Sequence, residues 1–244
     1  MPALDVRGIT KSYGGLIAVR DASFAVADGS ITALIGPNGA GKTTAFDVIC
    51  GIVEPGEGAV VFEGQDVTGW LPHRITRRGI GRTFQITREL GDLTVLENMV
   101  VPSARGGLRK LFGARITAAE RSRAMELLAF VGIERLSDEL AKTLSYGQRK
   151  LLEFASVLMG EPQLVLLDEP AGGVNPALLE KIMDRIRTLN ASSTTFLIVE
   201  HNMDVVMRLS DSIIVMAHGE VILQGPPNEV QSDHRVLDAY LGRA

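Results

Sequence analysis

The chain has 244 residues, 45% of them apolar and 22% charged, with a formal net charge of −4. These values are ordinary for a globular protein with a sizeable core and exclude a mini-protein that depends on disulfide or metal staples. The single cysteine, Cys50, excludes an internal disulfide framework and fits a reducing compartment.

In chain order, Met1-Pro2-Ala3-Leu4-Asp5 has neither a basic nor an apolar stretch, so no secretory signal is expected. Leu4–Arg7, Ala22–Val26 and Ala59–Phe62 are predicted as short strands between turn residues. Ile31–Ile35 is a compact apolar run of the buried parallel type. A glycine-rich loop follows, then a helix over Thr43–Cys50 that Gly51 stops. The longest charge-free run, Gly29 to Gly41, is broken by glycine and proline and is shorter than the about 20 apolar residues of a spanning helix. Ala118–Val131, Arg149–Leu158 and Ala177–Leu189 are predicted helices. Leu164–Leu167, Thr195–Val199 and Ile213–Met216 are further buried strands. The segment from Pro226 to Ala244 is expected to be helical in part. Strands thus flank a helical middle, from about Arg88 to Gly160, and parallel strands with crossover helices give an α/β fold.

Charge is uneven along the chain. Trp70 to Arg123 holds eleven Lys/Arg and four Asp/Glu. This is either a solvated basic face or a surface for anionic headgroups or an acidic partner. A pI near 5.6 and the absence of a nucleic-acid fold signature argue against nucleic acid as a partner. Mean hydropathy is +0.16, slightly apolar for a chain with no expected span.

Gly36-Pro37-Asn38-Gly39-Ala40-Gly41-Lys42-Thr43 fits G-x-x-x-x-G-K-[ST] at every fixed position. Glycines let backbone N–H groups turn inward around phosphate oxygens, and the following helix N-terminus favours negative charge. Lys42 adds a point charge for the β- and γ-phosphates, and the Thr43 hydroxyl suits Mg²⁺. Residue frequencies put a chance match at roughly one per cent. Further on, Leu164-Val165-Leu166-Leu167 ends in Asp168-Glu169-Pro170, two carboxylates at the strand edge where parallel-sheet ligands bind. Asp168 suits Mg²⁺ held through water, and Glu169 suits an attacking water. His73, His201, His218 and His234 have no metal-ligand spacing. No Asn-Lys-x-Asp base reader of the GTPase kind is present.

The segment Leu144-Ser145-Tyr146-Gly147-Gln148, with Ser145 placed 23 residues before Asp168, selects among phosphate-loop proteins. With it the chain resembles the ATP-binding cassette (ABC) ATPases over nearly its whole length, with the motifs in family order. The resemblance implies a P-loop NTPase (RecA-like) core with a small antiparallel β subdomain, over residues 1–87 and 161–244. An inserted α-helical subdomain, residues 88–160, would carry the signature Leu144–Gln148. Tyr13 is the implied adenine-stacking aromatic, and Gly36 through Thr44 bind ATP. Gln85 in Arg82-Thr83-Phe84-Gln85 is the implied Q-loop glutamine and, with Thr43 and Asp168, a Mg²⁺ ligand. Glu169, His201, Lys42 and Gln85 form the implied catalytic set. Ser145 and Gly147 would act on ATP held by a facing subunit, a copy or a paralogue, so that ATP joins the two chains.

Two positions depart from the family pattern: Tyr146 at the third signature place, and Asn175 at the end of Ala171-Gly172-Gly173-Val174-Asn175. Both look like the subset serving branched-chain amino-acid importers and their urea-importer relatives, as do Val199-Glu200-His201-Asn202-Met203-Asp204 and Ala239-Tyr240-Leu241-Gly242. The implied function is ATP hydrolysis coupled to import at the cytoplasmic membrane face. Partners would be integral-membrane permeases and, indirectly, a solute-binding protein. A urea or amide importer, a lipid or lipopolysaccharide exporter, and a soluble scaffold of the iron–sulfur assembly type remain alternatives.

Overall fold

The structure is a computed structural model that describes residues 2–83, 90–101 and 116–241. Strands β1 (Pro2–Tyr13) and β2 (Leu16–Ala27) form a hairpin closed by Gly14 and Gly15, with Gly14 at φ 58°. The wholly buried β3 (Ile31–Ile35) runs into the glycine loop and then α1 (Lys42–Ile49). Next come β4 (Glu57–Phe62), β5 (Gln65–Asp66), α2 (Pro72–Arg78) and β6 (Ile80–Arg82). Helices α3 (Val95–Val100), α4 (Ala118–Val131) and α5 (Tyr146–Leu158) follow, and each opens on a capping box. The boxes pair Thr94 with Glu97, Thr117 with Glu120 and Ser145 with Gln148, satisfying the first free amides of each helix. The remainder alternates as β7 (Leu164–Asp168), α6 (Pro176–Ala191), β8 (Thr195–Val199), α7 (Met203–Leu209) and β9 (Ser212–Ala217). It ends in β10 (Glu220–Gly225), α8 (Pro227–Ser232) and α9 (His234–Leu241).

Two sheets result. One is antiparallel, in the order β2-β1-β4-β5. The other runs β10-β9-β3-β8-β7-β6 and is parallel except for β10, which pairs antiparallel with β9. Side chains alternate across the parallel strands. Val165, Leu167, Phe196 and Ile198 pack with α3, α4, α5 and α6 on one face. Leu164, Leu166, Leu197 and Val199 face α1 and the antiparallel sheet, joining Phe46, Leu4, Val6 and Phe62. Strands covered on both faces are apolar throughout, which accounts for the positive mean hydropathy without a span. Among the described residues no helix is long and apolar enough to cross a membrane.

The expected mixed α/β architecture is present, and the Ala118–Val131 helix and the Thr195–Val199 strand have the expected bounds. The first two strands are longer than expected. Register shifts between Val6 and Ile9 and around Lys11 break their two-residue alternation. Strand β10 was not expected: as an edge strand it is only partly covered, and its apolar run is limited to Val221-Ile222-Leu223. Helix α5 starts three residues before the expected Arg149, because Ser145 and Gln148 cap it.

Candidate functional site

The glycine loop leaves the C-terminal end of β3 in a conformation that only glycine allows at two points. Gly36 has φ 147°, and a Cβ there would lie 2.0 Å from the Met216 carbonyl oxygen. Gly41, the N-cap of α1, has φ 98°, and its Cβ would lie 2.5 Å from the Ala18 carbonyl oxygen. Both contacts are with backbone and cannot yield. Lys42 Nζ donates to the carbonyl oxygens of Gly36 at 2.7 Å and Pro37 at 3.0 Å, so the ammonium lies over the loop. Burial lowers the Lys42 pKa, while the charges of Glu169 and Asp168 oppose that shift. Asn38, Gly39 and Thr43 are exposed, Pro37 and Thr44 half-buried and Ala40 buried.

Asp168 ends β7 and is 4% exposed. Arg82 Nη2 lies 3.2 Å from Asp168 Oδ2, and Arg82 Nη1 lies 2.6 Å from Asp47 Oδ1 on α1. Burial raises the Asp168 pKa and outweighs the opposing Arg82 charge. Thr43, Asp47, Arg82 and Asp168 line one cleft of about 700 Å³ that α3 and α5 close through Asn98 and Leu152. Thr43 and Asp168 offer hard oxygen donors in that cleft. Such a set suits Mg²⁺, which keeps waters and phosphate oxygens alongside one or two protein ligands. Among the described residues no cluster of three His, Cys, Asp or Glu could form an all-protein metal cage.

Glu169 follows with φ 49°, an uncommon conformation for a residue with a side chain. Its amide donates to the Val199 carbonyl of β8 at 2.9 Å, and its carbonyl accepts from Lys150 Nζ at 2.8 Å and from the Gly172 amide at 3.0 Å. The side chain points to His201, with Glu169 Oε1 3.6 Å from His201 Nδ1. Glu200, 1% exposed, holds the two loops together. Its carboxylate accepts the Ala171 amide at 2.7 Å and the His201 and Asn202 amides at 3.0 Å each.

Ser145 N-caps α5, with its amide donating to Gln148 Oε1 at 2.8 Å. Leu144 is buried beside it. A Cβ on Gly147 would lie 2.5 Å from Leu178 Cδ2 of α6. Tyr146 donates its hydroxyl to the Gly172 carbonyl at 3.2 Å. Among the described residues no hydrogen bond or ion pair joins Leu144–Gln148 to residues 36–44. Tyr13 stands at the end of β1, 48% exposed, with Lys11 Nζ 5.5 Å from its ring centre. Gln85 lies outside the described residues.

Lys42, Asp168, Glu169 and His201 therefore converge at the C-terminal edge of β3, β7 and β8, whereas Tyr13 and the signature stand on separate elements. Sequence reasoning did not single out Arg82, Asp47, Lys150 or Glu200. The available signal was a charge set directly against an apolar run, as in Ile80-Gly81-Arg82 and Val199-Glu200.

A family model described as ABC transporter matches residues 19–172. A second, described as branched-chain amino acid ATP-binding cassette transporter, matches residues 220–244. A probable branched-chain amino acid transport ATP-binding protein of Archaeoglobus fulgidus is 40% identical, over 99% of this chain and 96% of its own length. The crystal structure of the ADP conformation of an ATP-binding cassette of an ABC transporter superposes with a TM-score of 0.90 at 36% identity, over 99% of both chains. The dimeric structure of a bacterial ABC transporter cassette superposes with a TM-score of 0.81 at 27% identity, over 92% of this chain and 98% of that one.

Proposed function

The chain belongs to the ABC transporter family, and on that premise we propose that it is the ATP-hydrolysing, energy-coupling subunit of an importer for branched-chain amino acids. The convergence of Lys42, Asp168, Glu169 and His201 on one sheet edge carries the ATPase reading. The match of residues 220–244, and relatives of like length that bear the name, support the solute class.

The loop Gly36–Thr44 cradles the phosphates through backbone amides, and Lys42 exchanges its contacts with the Gly36 and Pro37 carbonyls for phosphate oxygens. Thr43 and Asp168, with Gln85, would hold Mg²⁺, Asp168 through water. Held there, Mg²⁺ would supply positive charge against the phosphate oxygens. Glu169 accepts a hydrogen bond from the attacking water and orients it, and His201, 3.6 Å away, holds the carboxylate and the γ-phosphate side in register. Tyr13 stacks on adenine.

Leu144–Gln148 faces the nucleotide of a second cassette, a copy or a paralogue. The dimeric relative supports that arrangement. The helical segment 88–160 acts as one subdomain against a core of residues 1–87 and 161–244. The subunit works peripherally at the cytoplasmic membrane face, on permease subunits served by a solute-binding protein.

The experiment is Glu169→Gln. Steady-state phosphate release should fall to background while ATP binding and ATP-driven dimerisation persist. Unchanged turnover in E169Q removes Glu169 from the mechanism.

A further inference from the structure

Lys150 is the anomalous residue of α5. It is 8% exposed, between the buried Leu151, Leu152 and Phe154 and the loop after β7. Burying an ammonium is costly unless its donors are satisfied. Among the described residues no carboxylate pairs with it. It donates instead to the backbone carbonyl of Glu169 at 2.8 Å and stands 5.6 Å from the Tyr146 ring centre. Tyr146, one turn earlier on the same helix face, donates to the carbonyl of Gly172 at 3.2 Å. The two side chains thus hold both ends of the turn that the Gly172 amide closes onto Glu169. On the other side, the Val199 carbonyl and the Glu200 carboxylate take the Glu169 and Ala171 amides. Glu169 itself is in the left-handed region at φ 49°, which persists only where the surroundings over-determine it.

We propose that Lys150 is a positioning residue for Glu169: its ammonium fixes the Glu169 peptide and so the direction in which the carboxylate leaves the strand. This rests on the reading of Glu169 as the carboxylate that orients water.

The test compares Lys150→Met, which keeps the stem and removes the charge, with Lys150→Arg, which keeps a donor. A misplacement of about 1 Å costs on the order of 10²-fold in rate. K150M should therefore lower kcat by about 10- to 100-fold with the KM for ATP within about twofold. K150R should recover most of that loss. ATP-driven dimerisation of K150M/E169Q should match that of E169Q. A K150M protein with parental kcat overturns the proposal, as does one whose loss follows ATP affinity or dimerisation. Should K150M fail to fold, Tyr146→Phe removes only the hydroxyl and should show the same split at about 3- to 10-fold; parental kcat there overturns it equally. Turnover retained in E169Q defeats the reading of Glu169 itself, whereas an inert E169Q beside a fully active K150M defeats the positioning role alone.

Discussion

Arg82→Met tests whether the buried ion triad carries the structure of the cleft. The guanidinium is 8% exposed and sits between Asp47 and Asp168, whose side chains are 25% and 4% exposed. Removing it leaves Asp168 as a buried carboxylate with no ion-pair partner among the described residues, the case in which breaking a pair costs about 3–5 kcal/mol. For a chain of this size that is a fall in Tm of about 6–20 °C, read by thermal unfolding of the nucleotide-free protein. The deficit should depend on pH. Burial already raises the Asp168 pKa above 3.8 against the pull of Arg82. Without Arg82 it rises further, so the folded chain holds a proton where the unfolded chain has lost it. Stability of the variant then increases as pH falls through the folded pKa toward the unfolded value, and its gap to the parent narrows. Asp168→Asn should remove much of the cost, so that the double variant loses less than the summed singles by more than about 1 kcal/mol. A Tm within about 2 °C of the parent, with no pH dependence and no coupling, would refute the reasoning.

Two further outcomes follow from single contacts. Lys42→Ala removes the ammonium over the loop carbonyls and should weaken ATP binding by calorimetry; retained micromolar affinity contradicts its role. Burial pushes the Cys50 thiol up to about 11, so at pH 8 the folded protein should react with a thiol reagent about 10²-fold more slowly than the urea-unfolded chain. Fast stoichiometric labelling of the native protein would place Cys50 outside the core.

The site was legible where its chemistry is local. A glycine loop must be written with glycine at the points where Cβ would strike the Met216 and Ala18 carbonyls. A strand buried on both faces must be apolar until the carboxylates at its end. The supporting residues were illegible because their partners are remote. Arg82 meets Asp168 across 86 positions, Glu200 meets Ala171 across 29, and Lys150 meets Glu169 across 19. No periodicity records such contacts. Helix α5 was placed three residues late for a related reason. Its start is set by the Ser145–Gln148 box, which the signature reading had absorbed as chemistry.

The two departures from the family pattern make sense together. Tyr146 fills the space that a glycine would leave open, and its hydroxyl takes the Gly172 carbonyl. Its ring then crowds the next residue: a Cβ on Gly173 would lie 2.9 Å from Tyr146 Cε1, and Gly173 already sits at φ 69°. The left-handed backbone favours glycine there, and the Tyr146 ring leaves a side chain little room. Asn175, where the family has an aspartate, N-caps α6 by accepting the Leu178 amide at 2.9 Å, with Pro176 at the first helical position. Asparagine caps about as well as aspartate, so the cap is kept while a negative charge is lost near Tyr146 and Gly172. The loop and the signature are thus fitted to each other within one chain. Substitutions at Tyr146 and Gly173 should therefore couple, whereas Asn175 acts through its cap on α6.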